Sequence, residues 1–246
     1  MRLGLEGKVV LVTGAAGGLG LVLCKAFAVE GARVVLADVD GARVEAAAAD
    51  LPGGTAEIVD VTDPRDVGRL VDAVVTAHGG LDVLVPSAGL YQGTRVPDVA
   101  AAAWDALHAV NVKGTFLAAQ AVLRVMTPRQ SGSIVLLGSI SGQVGGVQSG
   151  VAYATSKAAV IGLTKALARY AGPFGVRVNC VNPGYIETGM SLGMTPADSE
   201  RTIAATPLRR AGTAEEVATA VVWLASDAAA FVTGAQLDVN GGLLMA

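Results

Sequence analysis

The chain has 246 residues, 52% hydrophobic and 16% charged, with a formal net charge of −3 at pH 7; that size fits one large α/β domain, and no Pro/Ser-rich or charged linker divides it. Charges of both signs are mixed along the sequence, so the basic patch of a nucleic-acid surface is missing and nucleic acid is not the expected partner. The apolar runs are broken by charges or glycines well short of a bilayer span, so buried Ala and Val account for the hydrophobic fraction and no membrane association is expected.

From Met1 to Lys8 the sequence runs straight into a strand pattern without the apolar stretch of a signal peptide, which makes the cytoplasm the expected location. Short β-branched runs then alternate with longer helical patterns: strands are expected at 8–13, 33–38, 56–60, 81–85, 133–137, 177–181 and 236–239. Such alternation predicts βαβ units, and right-handed crossovers assemble them into a Rossmann-like, doubly wound parallel sheet of about seven strands with helices on both faces. The whole chain, 1–246, is read as one domain.

After the first strand comes Thr13-Gly14-Ala15-Ala16-Gly17-Gly18-Leu19-Gly20, with a helix from Leu21. A glycine turn between strand and helix lets backbone N–H groups and the helix N-terminus approach a pyrophosphate. Cys24, in the following helix, and Cys180, in a later strand, lack metal-ligand spacing and read as buried free thiols. The second strand ends on Asp38, the offset at which a carboxylate accepts hydrogen bonds from a ribose diol. Asp60, before Val61 and Thr62, reads equally as a turn cap or an adenine contact. Asp63 before Pro64 makes a helix N-cap with proline at the first helical position, and His78 before Gly79-Gly80 reads as a surface imidazole at that helix's C-terminus. Neither histidine implies a metal site, and none is expected. Pro86 lacks an N–H for a ladder, so the fourth strand is expected to end by Val85.

Asn111 falls inside a long helical pattern, Ser139 just after the apolar strand at 133–137, and Tyr153 and Lys157 one helical turn apart. A Tyr and a Lys at i and i+4 share a face, so the ammonium favours the phenolate and brings the tyrosine toward acid/base work at a carbonyl or alcohol oxygen. The stretch 183–197 is a long irregular segment in which Met190, Leu192 and Met194 alternate with small residues, the composition of an adaptable apolar cover. Thr213 with Glu216 predicts a capping box.

Taken together, these residues resemble the short-chain dehydrogenase/reductase family over essentially the whole chain. The family's Thr-Gly-x-x-x-Gly-x-Gly turn is matched by Thr13, Gly14, Gly18 and Gly20, its Asn, Ser, Tyr and Lys set by Asn111, Ser139, Tyr153 and Lys157, and its Pro-Gly and Thr motif by Pro183, Gly184 and Thr188. Where the family usually has Asn-Asn-Ala-Gly, this chain has Pro86-Ser87-Ala88-Gly89. The resemblance implies an NAD cofactor held by Gly14, Gly17, Gly18, Leu19, Gly20, Asp38, Asp60, Val61, Ala88, Gly89, Tyr153, Lys157, Pro183, Gly184, Ile186 and Thr188. It also implies Ser139 as donor to the substrate oxygen, Tyr153 as acid/base, Lys157 as its electrostatic partner and holder of the nicotinamide ribose, and Asn111 as an amide holding water in a proton relay.

The expected activity is hydride transfer between NAD(H) and a secondary alcohol or ketone, an apolar or cyclic one. The alternative is a 3-oxoacyl-[acyl-carrier-protein] reductase using NADPH; against it, Phe174 stands before Gly175 where such enzymes usually carry a basic residue, although Arg129 remains for an acidic partner. A binding module on the same fold would not need the complete catalytic set. The helical patterns at 152–170 and 116–123 are apolar round most of their circumference, and a helix buried on both sides implies a homotetramer or homodimer.

Overall fold

A computed structural model describes residues 3–146, 149–187 and 195–245. One seven-stranded sheet has the order β3-β2-β1-β4-β5-β6-β7, and every pairing is parallel. Its strands are β1 (Val9–Thr13), β2 (Arg33–Asp38), β3 (Thr55–Ile58), β4 (Val83–Pro86), β5 (Gly132–Leu137), β6 (Val176–Pro183) and β7 (Gln236–Val239).

The central strands are Val- and Leu-rich because both faces are covered. Along β1, Val9 and Leu11 face one layer with α3 (Pro64–His78), α5 (Thr115–Arg129) and α7 (Gly150–Ala171). Val10 and Val12 face the other, with α1 (Gly18–Val29), α2 (Gly41–Ala49) and α9 (Ala214–Ala225). Phe27 of α1 is wholly enclosed in that second layer, and truncating it to Ala would cost about 3–5 kcal/mol. The remaining helices are α4 (Ala101–His108), α6 (Ile140–Val144) and α8 (Pro196–Ala205).

The expected caps form. The Asp63 carboxylate accepts from Arg65 N at 2.8 Å, Thr213 and Glu216 exchange both bonds of a capping box, and α3 ends at Gly79 with φ 76° just after His78. Cys24 and Cys180 are buried free thiols.

Three of the differences from expectation bear on the site. β4 includes Pro86, which pairs with Thr13; the Ser87 N–H bonds the Thr13 carbonyl at 3.0 Å, so alternation turns the Pro86 nitrogen toward β5, where pairing has already stopped at Leu84. The missing donor therefore costs no ladder bond. β3 stops at Ile58, leaving Asp60 in the turn that follows. The helical pattern around Asn111 is not continuous α-helix: a π-helical turn, Ala109–Gly114, joins α4 to α5.

The strand order reverses between β1 and β4. Ligands in open α/β sheets bind outside the C-terminal strand ends at such a switch point, and there the chain gathers the glycine turn after β1, Asp38, the segment after Pro86, Ser139 and Gly184.

Candidate active site

Ser139 is the N-cap of α6; its hydroxyl accepts the Ser141 N–H at 3.1 Å, and the residue is 7% exposed. α6 lies hard against α7, since a Cβ on Gly142 would come within 2.6 Å of the Ala158 nitrogen and the Lys157 carbonyl carbon. Only glycine admits that approach. It brings the Ser139 hydroxyl near enough to the Tyr153 phenol, in the first turns of α7, to act on its titration.

Lys157, one turn further on, places Nζ 5.5 Å from the centroid of the Tyr153 ring and donates to the Leu137 carbonyl at 2.8 Å. Burial governs both titrations. Desolvation pushes the Tyr153 phenol up to about 12, with the Ser139 hydroxyl acting against it and the Tyr91 charge adding to the rise. Desolvation pulls the Lys157 ammonium down to about 8, opposed by Cys180. The sequence reading has the lysine bring the phenol toward neutrality; in this structure burial acts in the opposite direction and is the largest influence on Tyr153.

Asn111, 1% exposed, sits in the π turn, a distortion frequent at functional sites. Its Nδ2 donates to the Leu90 carbonyl at 2.9 Å and to the Ser156 hydroxyl at 3.1 Å, while Oδ1 accepts the Leu90 N–H at 2.7 Å. The amide thus ties the chain after β4 to α7, with both Nδ2 donors engaged and one of the two acceptor positions of Oδ1 in use. Its backbone carbonyl accepts the Thr115 hydroxyl at 2.8 Å.

Sequence reasoning missed Tyr91. Its ring meets Tyr153 edge-on, with centroids 5.1 Å apart, and burial raises its phenol. The available signal was an aromatic residue two positions after Gly89 at a strand's C-terminal end.

At the other end of the cleft, α1 begins at Gly18 with Gly17 as N-cap and no side chain capping it, whereas α2 and α3 are capped by Asp40 and Asp63. Gly18 has φ +53°, and the space where a Cβ would stand is open. A helix N-terminus left uncapped in this way is an anion site. Gly14 lies against the Ala88 backbone, Gly20 and Leu19 belong to the first turn of α1, and Gly89 lies beside Asn111. Asp38 accepts the Ala16 N–H at 3.0 Å through Oδ2 and the Asp40 N–H at 3.1 Å through Oδ1, so its carboxylate is held at the rim of the glycine turn. These features fit a dinucleotide.

Other expected contacts are distributed less simply. Asp60 closes its own turn, accepting the Thr62 N–H at 2.8 Å and hydroxyl at 2.7 Å, the turn-cap role that the sequence left open. Val61 is 8% exposed and packs in the core. Pro183 ends β6 opposite Val239, the Gly184 N–H bonds the Val239 carbonyl at 2.9 Å, and Ile186 bridges Gly212. Thr188, Met190, Leu192 and Met194 lie outside the described residues. Among the described residues, no cluster of His, Cys, Asp or Glu is placed to hold a metal ion, and no helix is long and apolar enough to cross a membrane.

The family model described as enoyl-(acyl carrier protein) reductase matches residues 14–244. The chain is 42% identical to galactitol 2-dehydrogenase (L-tagatose-forming) of Cereibacter sphaeroides, over 97% of this chain and 95% of that one. It is 38% identical to the 3-oxoacyl-[acyl-carrier-protein] reductase FabG of Thermotoga maritima, over 98% and 99%. The crystal structure of gox2181 superposes with a TM-score of 0.95 at 37% identity, covering 98% of this chain and 97% of that one.

Proposed function

Since the chain belongs to the short-chain dehydrogenase/reductase family, we propose that it is an NAD-dependent oxidoreductase acting on a secondary alcohol or its ketone, preferentially an apolar or cyclic one. The observation that carries this reading is the juxtaposition of Ser139, Tyr153 and Lys157 at the C-terminal edge of the sheet.

When bound, a nicotinamide cofactor supplies or takes the hydride. This chain's residues do the rest. The uncapped start of α1 receives the pyrophosphate, and Asp38 accepts hydrogen bonds from the adenosine ribose. Ser139 holds the substrate oxygen by a hydrogen bond. Tyr153, partly buried and protonated at neutral pH, gives its proton to the ketone oxygen in reduction and takes one from the alcohol in oxidation. Lys157 places positive charge beside the ring in the phenolate state and holds the nicotinamide ribose. Asn111 acts by position, fixing Leu90 and Ser156 on either side of the catalytic residues.

The apolar preference is supported by exposed apolar side chains on the elements that carry these residues: Leu90, 46% exposed, whose backbone is held by Asn111, and Val144, 49% exposed, at the end of the helix that Ser139 caps. Kinetics with a panel of secondary alcohols, cyclic ketones and sugars, read by nicotinamide absorbance with NAD and NADP, tests the reading. Apolar or cyclic substrates are expected to lead in kcat/KM; a polyol leading would overturn that preference, and no turnover of any of them would overturn the dehydrogenase assignment.

A second reading, a 3-oxoacyl-[acyl-carrier-protein] reductase, is favoured by the FabG relative. Two features weigh against it. Phe174, 38% exposed, packs beside Tyr170 where a basic residue would meet an acidic carrier, and Arg129 is engaged with Asp82 at 3.3 Å and the Leu81 carbonyl. Turnover of a 3-oxoacyl thioester exceeding that of every simple ketone would decide for it.

The cytoplasm is the proposed location, and a homodimer or homotetramer the proposed assembly.

A further inference from the structure

We infer that Asp238 and Gln143 are positioning residues of the proposed reaction, the Asp238 carboxylate on β7 holding in place the segment that carries Ser139. The inference rests on the catalytic reading of Ser139, Tyr153 and Lys157 above. Asp238 and Asn182 are paired in register on β7 and β6, so their side chains leave the sheet on one face, and Asn182 Nδ2 donates to Asp238 Oδ1 at 3.0 Å. Gln143 Nε2, from α6, donates to the same oxygen at 3.1 Å. The other end of the segment is seated on Asn182: the Gly138 N–H bonds the Val181 carbonyl at 2.9 Å, and a Cβ on Gly138 would run into the Asn182 amide oxygen. Gly138 and Gln143 are thus tied to the sheet at either side of Ser139, and the two amides involved converge on one carboxylate oxygen.

The chemistry of the three side chains fixes their orientation. A carboxylate only accepts, so each amide turns its nitrogen to Asp238 and its oxygen away. The Asn182 oxygen then takes the Cys180 thiol at 3.4 Å, whereas Gln143 Oε1 is buried with no hydrogen-bond partner among the described residues. An orphaned buried acceptor is destabilising, and an apolar side chain of the same length would avoid it. A glutamine kept at that disadvantage serves position rather than stability. The helix it belongs to needs such a tie: α6 has five residues, is capped by Ser139 itself, and packs on α7 through Gly142, so its opposite side is the one that Gln143 fastens to β7.

The test compares wild type, Gln143→Met, Gln143→Glu and the double variant Gln143→Glu with Asp238→Asn, by amide hydrogen exchange, NADH titration, melting temperature and kinetics with the best ketone of the panel above. Gln143→Met keeps the side chain's length and removes both polar atoms. Exchange over Ile140–Val144 should rise about tenfold and kcat should fall about 10–100-fold, with the NADH Kd within about twofold and the melting temperature not lowered. Gln143→Glu sets two carboxylates against each other and should also lower kcat. Adding Asp238→Asn replaces one of them by an amide that can donate to the other while still accepting from Asn182, and most of the lost kcat should return. An unchanged kcat or exchange rate in Gln143→Met, no recovery in the double variant, or a melting temperature that falls in step with kcat would overturn the inference. Absence of turnover by the wild type would remove the catalytic reading itself, whereas hydrogen exchange would still decide whether Asp238 and Gln143 hold the Ser139 segment.

Discussion

The Nζ of Lys157 lies 5.5 Å from the Tyr153 ring centroid and is anchored to the Leu137 carbonyl, so the ammonium is fixed beside the ring by the end of β5. Because Ser139 engages the phenol from α6, acid/base work should concentrate on one oxygen. Tyr153→Phe keeps the ring packed against Tyr91 and removes that oxygen; turnover should fall ~10²–10⁴-fold with cofactor binding intact. Steady-state kinetics and a fluorescence titration on the same preparation check both halves. More than a tenth of wild-type activity would refute the role.

The directions of the two shifts set the pH dependence. Tyr153, raised to about 12, is protonated at neutral pH, the form that reduction requires, whereas oxidation requires the form present only after proton loss. Oxidation kcat/KM should therefore climb from pH 7 until Lys157 loses its charge at about 8, while reduction stays flat or declines. Profiles in both directions measure this, and a reduction rate that climbs with pH would contradict it.

Assembly follows from the face of α7 turned away from the sheet. Ala152, Ser156, Val160 and Thr164 are buried, whereas Ala158, Ala159, Gly162 and Ala166 are exposed. Ala159, Gly162 and Ala166 line an open apolar groove with Val112 and Phe116. The helix is thus covered on one side only within the chain, and a second copy related by a two-fold axis would cover the other. Light scattering at micromolar concentration should give a dimer or tetramer, and Ala159→Arg should reduce its mass. A monomeric wild type would reject this.

The capping box of α9 gives a stability prediction. Glu216 is held down to about 2 by its hydrogen bonds to Arg210 and the Thr213 N–H. A depressed folded value means that the stabilisation is complete above the unfolded value near ~4.3 and is lost as pH falls through about 2. The melting temperature of Glu216→Gln should lie below wild type at pH 7, with the gap closing across that acid window; a gap independent of pH would show that charge plays no part.

The sheet and the clustering of the candidate residues were legible because they rest on local chemistry: β-branched runs, the glycine turn, Asp63 before Pro64, and a Tyr and Lys one turn apart. What escaped depends on tertiary placement. Asn111 is recognisable by type, but its bonds to Leu90 and Ser156 require the π turn to bring α5 under the chain after β4. The phenol shift follows from burial, which no spacing encodes. Pro86 is tolerated because pairing with β5 ends two residues earlier, a register property.

Cofactor choice is the sharpest prediction of the site. The Asp38 carboxylate stands at the rim of the glycine turn, where hydrogen bonds from a ribose diol to a charged acceptor contribute ~1.5–3 kcal/mol. A 2′-phosphate replaces those donors with negative charge, and unit like charges ~4 Å apart at an effective dielectric near 20 repel by about 4 kcal/mol before screening. NAD should exceed NADP in kcat/KM by at least ~10²-fold, about 2.7 kcal/mol. Asp38→Ser should narrow the ratio by weakening NAD and admitting NADP, with kcat little altered, since the change lies at the opposite end of the cofactor from Tyr153. Comparable use of both cofactors by the wild type would show that Asp38 does not meet the ribose, and would bring the carrier-protein reductase reading to the front.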